Sequence, residues 1–587
     1  MLRRFLKNLF GSRPEQRETP ATVKTSSERG EDTLETLIEN AKRAAEAGEF
    51  DLAESFATRA QKISPAHPVV HFVFSQVKLA RGEYENALKH ALIAERSEKF
   101  STAYLNQVGI CYMALGNYSL ATNHLLKAVQ LSPNSAEIQN NLGLVNRHAG
   151  KPEKARGHFQ RAIEITPEDP TFQMNFALAC WESNEPNQAE STLRQLSATY
   201  PEHKVFRFNL ASILAGQNKT EEAEQILKAL KNETPDDPDV LRLEIDMLIQ
   251  AGEPRKAEEH ARRLYALVPK PEYAYPLGEL LLSLENYEEG WELYDKRLQM
   301  PGFPFRDSAI KRWQGEPLKH KSIYIQNEQG LGDQIMFMSC LQELYAQGSS
   351  ITLETNIRLA SLVERSFPAI KLRTHANESL PAAPKNGFDR ITSLGCLPRY
   401  LRRSRNDFSR ATIPFIKPDL DLVNAWVDKL NTGKKGIGIC WRGGLAHTGA
   451  EKRSLELLQF LSIFDEQDVQ LVSLQRDESP EEKELFKKHS PTLQPFDSRL
   501  EDLEQLAACI SACSLVVTVC CTIAHLAGAM GKQVIVLTPR GPAWRYGAEG
   551  KDMAWYPSVY LARQSSPTWL EAIQETKDQL KSRLALA

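Results

Sequence analysis

The amino-acid sequence predicts an α-solenoid of paired helices followed by an α/β region made of two parallel-sheet halves. Two observations predict this architecture. Turn-forming residues recur every 34 positions over roughly the first half of the chain, and a period of that size is typical of stacked helix pairs. Beyond about residue 299, short apolar segments alternate with amphipathic helices, which is typical of α/β layers.

Eight turn residues define the repeat, and each is of a type that adopts a left-handed backbone readily: Gly48, Gly82, Gly116, Gly150, Asn184, Asn218, Gly252 and Asn286. Five positions after each of the first seven stands an alanine, which lets two antiparallel helices approach closely. Prolines follow most turns at seventeen positions and separate one pair from the next. The pattern resembles the tetratricopeptide repeat over residues 33–298 and predicts a solenoid of seven to eight repeats with a concave inner wall.

Amide side chains recur within the first helices of four consecutive repeats. They are Gln107, Asn141, Asn175 and Asn209. An amide both donates and accepts hydrogen bonds, so such a ladder could hold the backbone of an extended peptide, as in the similar superhelix of the O-linked N-acetylglucosamine transferases. The alternative is that these residues are tolerated on an exposed inner helix face. We favour the acceptor-binding role.

The second half of the chain divides into two Rossmann-like halves, which we place at residues 299–425 and 426–587. Predicted strands in the first half are 322–326, 351–354 and 389–393, with a helix over 333–346. In the second half they are 436–441, 469–474, 515–519 and 533–538. Ligands bind beyond the carboxyl ends of such strands, so the loops that follow them are the candidate site.

Several spaced motifs carry a resemblance to the tetratricopeptide-fused relatives of the heptosyltransferase family. They are GWELY (290–294), RWQGEP (312–317), EQGLGD (328–333), VSLQ (472–475), AHLAG (524–528) and WYPS (555–558). The resemblance implies a GT-B fold and inverting, metal-independent transfer from a nucleotide-activated sugar, which is a substrate and not a cofactor.

The same resemblance assigns the catalytic base to Asp333. The local alternative is that Asp333 caps the helix it begins. Gly330 and Gly332 would let the backbone and the helix amides approach the ligand. Glu328 is the reserve candidate for the base, although a solvated loop acid is the plainer interpretation of it.

Four further segments are candidates for the donor site. Arg442, Lys452 and Arg453 would offset charge on the leaving phosphate, although basic residues are often only solvated surface. Thr522 begins a predicted helix and would hold the diphosphate with the helix amides. His525 would bond the phosphate or satisfy a core carbonyl, and Gln475 ends the VSLQ motif.

The sequence departs from these relatives at one point. Cys520 and Cys521 stand where the relatives carry Asp-Thr or Asp-Ser, and we predict buried thiols there. Asp419 and Asp421 imitate the metal-binding DxD of another transferase fold but lie in a predicted linker, so we expect no metal site. Trp544-Arg545 and Trp555-Tyr556 would either wall the cleft or pack in the core.

Composition argues against two classes of partner, nucleic acid and anionic membranes. The 587 residues include 72 basic and 75 acidic ones, a net charge of −3, so no strong field favours nucleic acid or an anionic membrane. No apolar run reaches the roughly 18 residues that span a bilayer. Nine scattered cysteines fit a reducing, cytoplasmic location. Residues 1–10 could touch a membrane, but we favour a flexible N-terminal tail over residues 1–32.

Together these features predict a bacterial cytoplasmic glycosyltransferase. The expected donor is a nucleotide sugar, and the expected acceptor is Ser or Thr of a protein held by the repeats, with flagellin as the specific expectation. Two alternatives remain at this stage. One is an envelope-glycan transferase whose repeats only dock it on an assembly, and the other is a non-catalytic repeat scaffold.

Overall fold

The computed structural model describes residues 33–98, 100–300, 303, 305–306, 308–376, 380–444, 450–465, 467–489 and 497–586. The predicted tail over residues 1–32 lies outside the described residues. The chain forms two compact units, of which the first ends at Glu233 and the second is Thr234–Ala587. This division falls inside the repeats, whereas the sequence placed the end of the solenoid at residue 298. The last two helix pairs therefore belong to the same unit as the α/β region.

The first unit consists, over its described residues, of twelve helices in six successive pairs. They are α1 (Leu34–Glu46), α2 (Phe50–Ile63), α3 (Pro68–Ala80), α4 (Tyr84–Ser97), α5 (Thr102–Ala114), α6 (Tyr118–Leu131), α7 (Ala136–His148), α8 (Pro152–Ile165), α9 (Pro170–Glu182), α10 (Pro186–Thr199), α11 (Lys204–Gly216) and α12 (Thr220–Glu233). Proline begins four of them, a position where its missing amide donor costs nothing.

Small residues bring the two helices of each pair together, as predicted. The repeat alanines of the first unit are fully buried: Ala53, Ala87, Ala121, Ala155, Ala189 and Ala223. Glycines inside the first helices act in the same way. A Cβ on Gly109 would stand 2.6 Å from Cγ of Leu125, and one on Gly143 would stand 2.4 Å from Cε1 of Phe159. The large side chain of the second helix thus occupies the space above each glycine.

The turns between paired helices confirm seven of the eight predicted left-handed positions, from Gly48 to Gly252. The eighth prediction, Asn286, is wrong by one residue. Asn286 has φ −82°, and Glu285 has φ +64° instead. The reason is a shorter link before the last pair. Pro269 lies two residues before its helix, whereas Pro235 lies three residues before the preceding pair.

The second unit opens with the last four repeat helices, which are α13 (Pro238–Ala251), α14 (Pro254–Leu267), α15 (Pro271–Ser283) and α16 (Tyr287–Tyr294). Trp291 and Tyr294 of α16 share one buried hydrophobic cluster with residues from both sheets. The Trp291 indole donates to the carbonyl of Arg402 at 2.7 Å and packs edge-on against Trp544. The GWELY motif therefore fastens the repeats to the α/β core.

The first sheet is parallel, with strand order β3-β2-β1-β4. Its elements are β1 (Ser322–Gln326), α17 (Leu331–Met338), α18 (Leu341–Ala346), β2 (Ser350–Asn356), α19 (Ala360–Ser366), β3 (Lys371–His375), β4 (Arg390–Ser393) and α20 (Pro398–Leu401). The predicted helix over 333–346 is two helices, and strand β3 was not predicted. Four of the five residues of β3 are charged or polar, which hides this strand from a search for apolar runs.

The second sheet has the order β6-β5-β7-β8-β10-β9, and only its last pair is antiparallel. Its elements are α21 (Leu420–Leu430), β5 (Lys435–Cys440), α22 (Leu457–Leu461), β6 (Val469–Ser473), α23 (Pro480–His489), α24 (Leu503–Ala512), β7 (Leu515–Val519), α25 (Thr522–Ala529), β8 (Val534–Thr538), β9 (Asp552–Met553), β10 (Tyr556–Arg563) and α26 (Leu570–Leu586). All four predicted strands of this half are present. Helix α21 packs on α24, so the predicted boundary at 425/426 cuts through a helix of the second half.

The chain order of sixteen repeat helices followed by two largely parallel sheets confirms the coarse prediction of an α-solenoid followed by an α/β region. Within the described part of the chain, no helix has both the length and the apolar character needed to cross a membrane.

Candidate active site

Asp333 lies in the first turn of α17, directly after the loop that follows β1. It does not cap the helix, because the N-cap residue is Gly330 and no side chain bonds the free amides there. Oδ1 of Asp333 instead lies 2.5 Å from Nη2 of Arg545, and both side chains are largely buried. The carboxylate is therefore oriented by a guanidinium from the other half of the α/β region.

The loop before Asp333 owes its shape to a different residue from the ones predicted. Gly330 has φ −76°, and Gly332 is helical, so neither glycine uses a left-handed conformation. Gln329 does, with φ +67°, and its side-chain amide donates to the Tyr294 hydroxyl at 2.6 Å. A left-handed residue without glycine's freedom is strained, and such residues cluster at functional sites.

Gly332 is the point where the two halves meet. A Cβ on Gly332 would stand 3.1 Å from Cδ2 of His525 and 3.6 Å from both Cα and Oγ1 of Thr522. Helices α17 and α25 pack directly on each other here, with their first turns adjacent. Free amides at two helix N-termini thus converge on one region, which favours a bound anion.

His525 lies between two tyrosines. Its Nδ1 is 3.3 Å from the hydroxyl of Tyr556, and its Nε2 is 3.3 Å from the hydroxyl of Tyr546. Burial, aided by the charge of Arg545, lowers the pKa of His525 to about 3, so the ring is neutral at physiological pH. The ring nitrogens thus face two tyrosine hydroxyls and not a core carbonyl, and the predicted contact of His525 with a phosphate stays a prediction.

Arg545 lies in the turn Trp544–Tyr546, which packs on α15 and so joins the repeats to the site. Burial lowers the pKa of Arg545, but the charge of Asp333 outweighs it and the pKa is raised above the usual value. Trp544 packs edge-on against Tyr294 at 5.3 Å between ring centroids. The two predicted alternatives, cleft wall and core, therefore apply to different residues. Trp544 packs in the core, whereas Arg545 contacts Asp333.

Glu279 of α15 joins this cluster and was not predicted. It accepts a hydrogen bond from the Tyr275 hydroxyl at 3.0 Å. Burial raises the pKa of Glu279 to about 7, with further effects from Tyr275, Arg545 and Asp333. An acid in a repeat helix resembles any solvated helix acid in sequence, so only its approach to the α/β region identifies it.

Glu328 is not a loop acid in water. It is buried and forms a two-bond ion pair with Arg297, with Nε donating at 3.0 Å and Nη2 at 2.5 Å. The backbone amide of Gly395 donates to it as well, at 2.8 Å. The interpretation as a solvated loop acid is wrong, because sequence could not show that Arg297 would enter the core beside Glu328. Its reserve role as the base stays a prediction.

Arg442 and Gln475 organise the loop after β5. The Arg442 guanidinium donates to Glu482 at 2.9 Å and to the carbonyl of Asp477 at 3.0 Å. The Gln475 side-chain oxygen accepts from the Arg442 amide at 2.8 Å. Arg442 and Gln475, both predicted to bind the donor, therefore form hydrogen bonds that stabilise the loops after β5 and β6.

Lys452 and Arg453 lie in the short turn Ala450–Arg453. Lys452 is exposed, and Asp246 of α13 lies within its electrostatic range. Arg453 is half-buried and donates from Nε to the carbonyl of Gly443 at 3.1 Å. Its charge also acts on Cys520, which places Arg453 near the start of α25.

The two adjacent cysteines differ. Cys520 is buried as predicted, and burial raises the pKa of its thiol to about 12. Cys521 is only partly buried and is the N-cap residue of α25. Asp419 caps α21 by accepting from the amides of Asp421 and Leu422, which explains the DxD pattern. Among the residues with described side chains, no group of three or more His, Cys, Asp or Glu could hold a metal ion.

The amide ladder of the first unit is mostly buried. Asn141 donates to Asn106 at 2.9 Å and Asn175 to Asn140 at 2.8 Å, each in the preceding repeat. Gln107 likewise donates to Ser75 at 2.9 Å, and the half-buried Asn209 donates to the sulfur of Met174 at 3.4 Å. The ladder thus joins neighbouring repeats, and it is not the exposed face that both interpretations assumed. Its role in binding an acceptor stays a prediction.

Comparisons with known proteins support the repeats. Residues 100–168, 146–203 and 181–244 match the tetratricopeptide repeat family, so this part of the chain carries tetratricopeptide repeats. The curated Protein FlbA of Caulobacter vibrioides is 30% identical over 300 residues, which are 48% of this chain and 50% of that protein. The match therefore spans about half the length of that relative.

Three solved structures illustrate the range of similarity. One is a tetratricopeptide repeat protein from Parabacteroides merdae, at 17% identity and TM-score 0.37, covering 42% of this chain and 97% of that one. Another is PilF of Pseudomonas aeruginosa, at 19% identity and TM-score 0.32, covering 36% of this chain and 97% of that one. The third is TTC0263 of Thermus thermophilus, at 19% identity and TM-score 0.29, covering 31% of this chain and 99% of that one.

Proposed function

We propose that the chain is an inverting glycosyltransferase of GT-B fold, which moves a sugar from a nucleotide-activated donor to a Ser or Thr hydroxyl of a protein held by the repeats. The observation that carries the proposal is the contact of Gly332 with Thr522 and His525. The EQGLGD motif and the helix that carries the AHLAG motif, which are far apart in sequence, come together at this contact with Asp333 beside them. Unrelated loops have no reason to meet in this way.

In this mechanism the Asp333 carboxylate accepts the proton of the acceptor hydroxyl as its oxygen attacks the anomeric carbon. The bond from that carbon to the nucleotide phosphate breaks, and the phosphate leaves with the electron pair. Amides at the start of α25, the Thr522 hydroxyl and Arg453 stabilise the growing negative charge. Arg545 holds the carboxylate in place through the 2.5 Å ion pair. The proposed transfer is metal-independent.

The repeats support a protein acceptor, since stacked helix pairs commonly bind extended peptides. The name Protein FlbA states no activity, so it adds nothing about the acceptor. We retain flagellin as the specific acceptor to test, alongside other proteins that co-purify with the chain.

The test compares the full-length wild-type chain with Asp333→Asn in the native host. Proteins that co-purify with each are measured by intact mass, and nucleotide binding is measured by calorimetry with UDP, GDP, ADP and CMP. We expect wild type to yield acceptors with discrete sugar-sized additions, and the variant to bind nucleotide equally well but yield acceptors without them. Asp421→Asn is the control, because it removes an exposed acid from the first turn of α21, a helix that contributes no residue to the proposed site.

Two outcomes would contradict the proposal. If neither protein binds any nucleotide, the chain is a repeat scaffold and not a transferase. If nucleotide binds but only a lipid-linked or oligosaccharide acceptor is modified, the repeats serve for docking and the acceptor class is wrong.

A further inference from the structure

Two cysteines from different strands meet at the start of α25. Cys440 ends β5, where it pairs in register with Thr518 of β7, and Cys521 follows the end of β7. Thr518 thus links the two cysteines, and the pKa of each thiol is shifted by the other. Gly443, which has no side chain, lets the loop after β5 approach Cys521, since a Cβ on it would stand 3.0 Å from Cβ of Cys521.

Cys521 has the surroundings of a reactive thiol. The Cys440 thiol and the Thr518 hydroxyl lower the pKa of Cys521, although burial acts in the opposite direction. The Thr518 oxygen is 3.3 Å from the Cys521 sulfur. A thiolate at a helix N-terminus is the form that attacks electrophiles. Because Cys521 is only partly buried, small oxidants can approach it.

The chain provides its own contrast. Cys509 in α24 and Cys513 directly after that helix also contact each other, since the Cys513 amide donates to the Cys509 carbonyl at 3.1 Å. Both are fully buried, and the pKa of Cys509 is raised by its partner and by burial. Cys520, next to Cys521 in sequence, is buried with a raised pKa as well. Two pairs of cysteines are therefore close together. Of these four residues, Cys521 is the one that is partly accessible and lies at a helix N-terminus.

We propose that Cys521 is a peroxide-reactive thiol and that Cys440 is the thiol that resolves it to a disulfide. The Cys521 thiolate attacks hydrogen peroxide, the O–O bond breaks, and sulfenic acid and hydroxide form. The Cys440 sulfur then attacks the sulfenic sulfur and loses its proton, so that the disulfide forms and water leaves. Two electrons pass from the two sulfurs to one peroxide molecule.

One consequence rests on the proposed function. The disulfide ties the loop after β5 to the residue that caps α25, where we place the donor phosphate. Oxidised protein should then bind nucleotide more weakly than reduced protein. If the disulfide forms and nucleotide binding never occurs in either state, the redox proposal stands and the proposed function fails.

The experiment treats the reduced full-length chain with a few equivalents of hydrogen peroxide, blocks remaining thiols under denaturing conditions and maps tryptic peptides by mass. A Cys440–Cys521 disulfide joins peptide 436–442 to peptide 500–532, whereas a Cys509–Cys513 disulfide closes a loop within peptide 500–532. We expect the joined pair, lighter by two hydrogen atoms than its reduced components, to be the main early product.

Three variants decide the assignment. Cys520→Ser should still give the joined pair, and Cys521→Ser should abolish it. Cys440→Ser should leave a sulfenic acid on Cys521 that dimedone labels, which keeps the proposal testable without the disulfide. A looped peptide 500–532 in place of the joined pair, or a joined pair that survives Cys521→Ser, would overturn it.

Discussion

At the scale of single residues, charge at the candidate site is held by partners that come from distant parts of the chain. Asp333 pairs with Arg545, and Glu328 pairs with Arg297 in the core. Glu279 differs from both, because a tyrosine hydroxyl is its hydrogen-bond partner. Ionising a buried carboxyl without a close cation is costly, and this gives Glu279 a measurable effect on stability.

The first prediction concerns Glu279→Gln. The pKa of Glu279 is raised from 4.5 to about 7, so between those values the folded state holds more protons than the unfolded state. The free energy of unfolding therefore falls as pH rises through this window. Relative to Glu279→Gln, wild type should lose about 2 kcal/mol between pH 4.5 and pH 8, an amount reduced from the full shift because the side chain is only partly buried.

Urea unfolding followed by tryptophan fluorescence measures this effect, since seven of the eight tryptophans lie after residue 234. Glu272→Gln is the control, because it removes an exposed acid from the same helix. It should leave the wild-type pH dependence in place. An equal pH dependence in wild type and Glu279→Gln would show that Glu279 ionises as an ordinary surface acid.

Sequence reasoning could choose residues of the site but not their partners. Asp333, Gly332, Thr522 and His525 were singled out from motifs, and the structure brings them together. Arg545 was known only as a neighbour of a tryptophan, and Glu279 only as a helix residue, because pairing depends on how the last repeat packs on the α/β region. The same limit explains Glu328, whose burial depends on Arg297.

At the scale of elements, the site depends on how closely α17 and α25 approach. The two glycines of the EQGLGD motif differ in this respect. Gly332 faces His525 at contact distance, whereas the nearest atom to a Cβ on Gly330 is Oδ2 of Asp333 at 3.8 Å, an ordinary contact. One motif therefore contains both a sensitive position and its own matched control.

The second prediction compares Gly332→Ala with Gly330→Ala. The added methyl group at residue 332 would stand 3.1 Å from Cδ2 of His525, so that ring or α17 must shift, and overpacking of this kind costs about 1–3 kcal/mol. If nucleotide binds between the two helices, its affinity should fall about tenfold or more in Gly332→Ala. Gly330→Ala should bind like wild type. Titration calorimetry with the best-binding nucleotide measures the affinity of each variant. An equal loss of affinity in both variants would show that the contact between Gly332 and His525 is not the cause.

Strand prediction succeeded where strands are continuously apolar and buried. Ser322–Gln326 and Leu515–Val519 have the predicted bounds. Tyr556–Arg563, which pairs with β8, was missed because its proline and its alternating exposure resemble a loop. The helix over 333–346 breaks at Ser339-Cys340, where no proline or glycine marks the change.

At the scale of the whole molecule, the compact units do not coincide with the change from repeats to α/β structure. The second unit begins at Thr234 and includes the last two repeats. Leu282, Tyr287, Trp291 and Tyr294 are part of its buried cluster. A chain that begins where the α/β pattern begins would lack all four of them.

The third prediction concerns two truncated chains. Residues 234–587 should fold, with near-ultraviolet circular dichroism typical of packed tryptophans. Residues 299–587 lack Trp291 and also Arg297, which leaves Glu328 buried without its cation, a loss of about 3–5 kcal/mol in addition to the missing core. We expect that chain to be insoluble or to bind a hydrophobic dye. Equal folding of both would show that the last repeats are dispensable.

The shortened link after Pro269 bears on how such a chain can change over evolutionary time. The shift moves the last turn to Glu285 and occurs within the second unit, downstream of six regular helix pairs. Unequal recombination among the upstream copies would lengthen or shorten the array by whole 34-residue modules and leave every residue after Thr234 unaltered. The number of repeats is thus a quantity that selection can vary separately from the chemistry of the site.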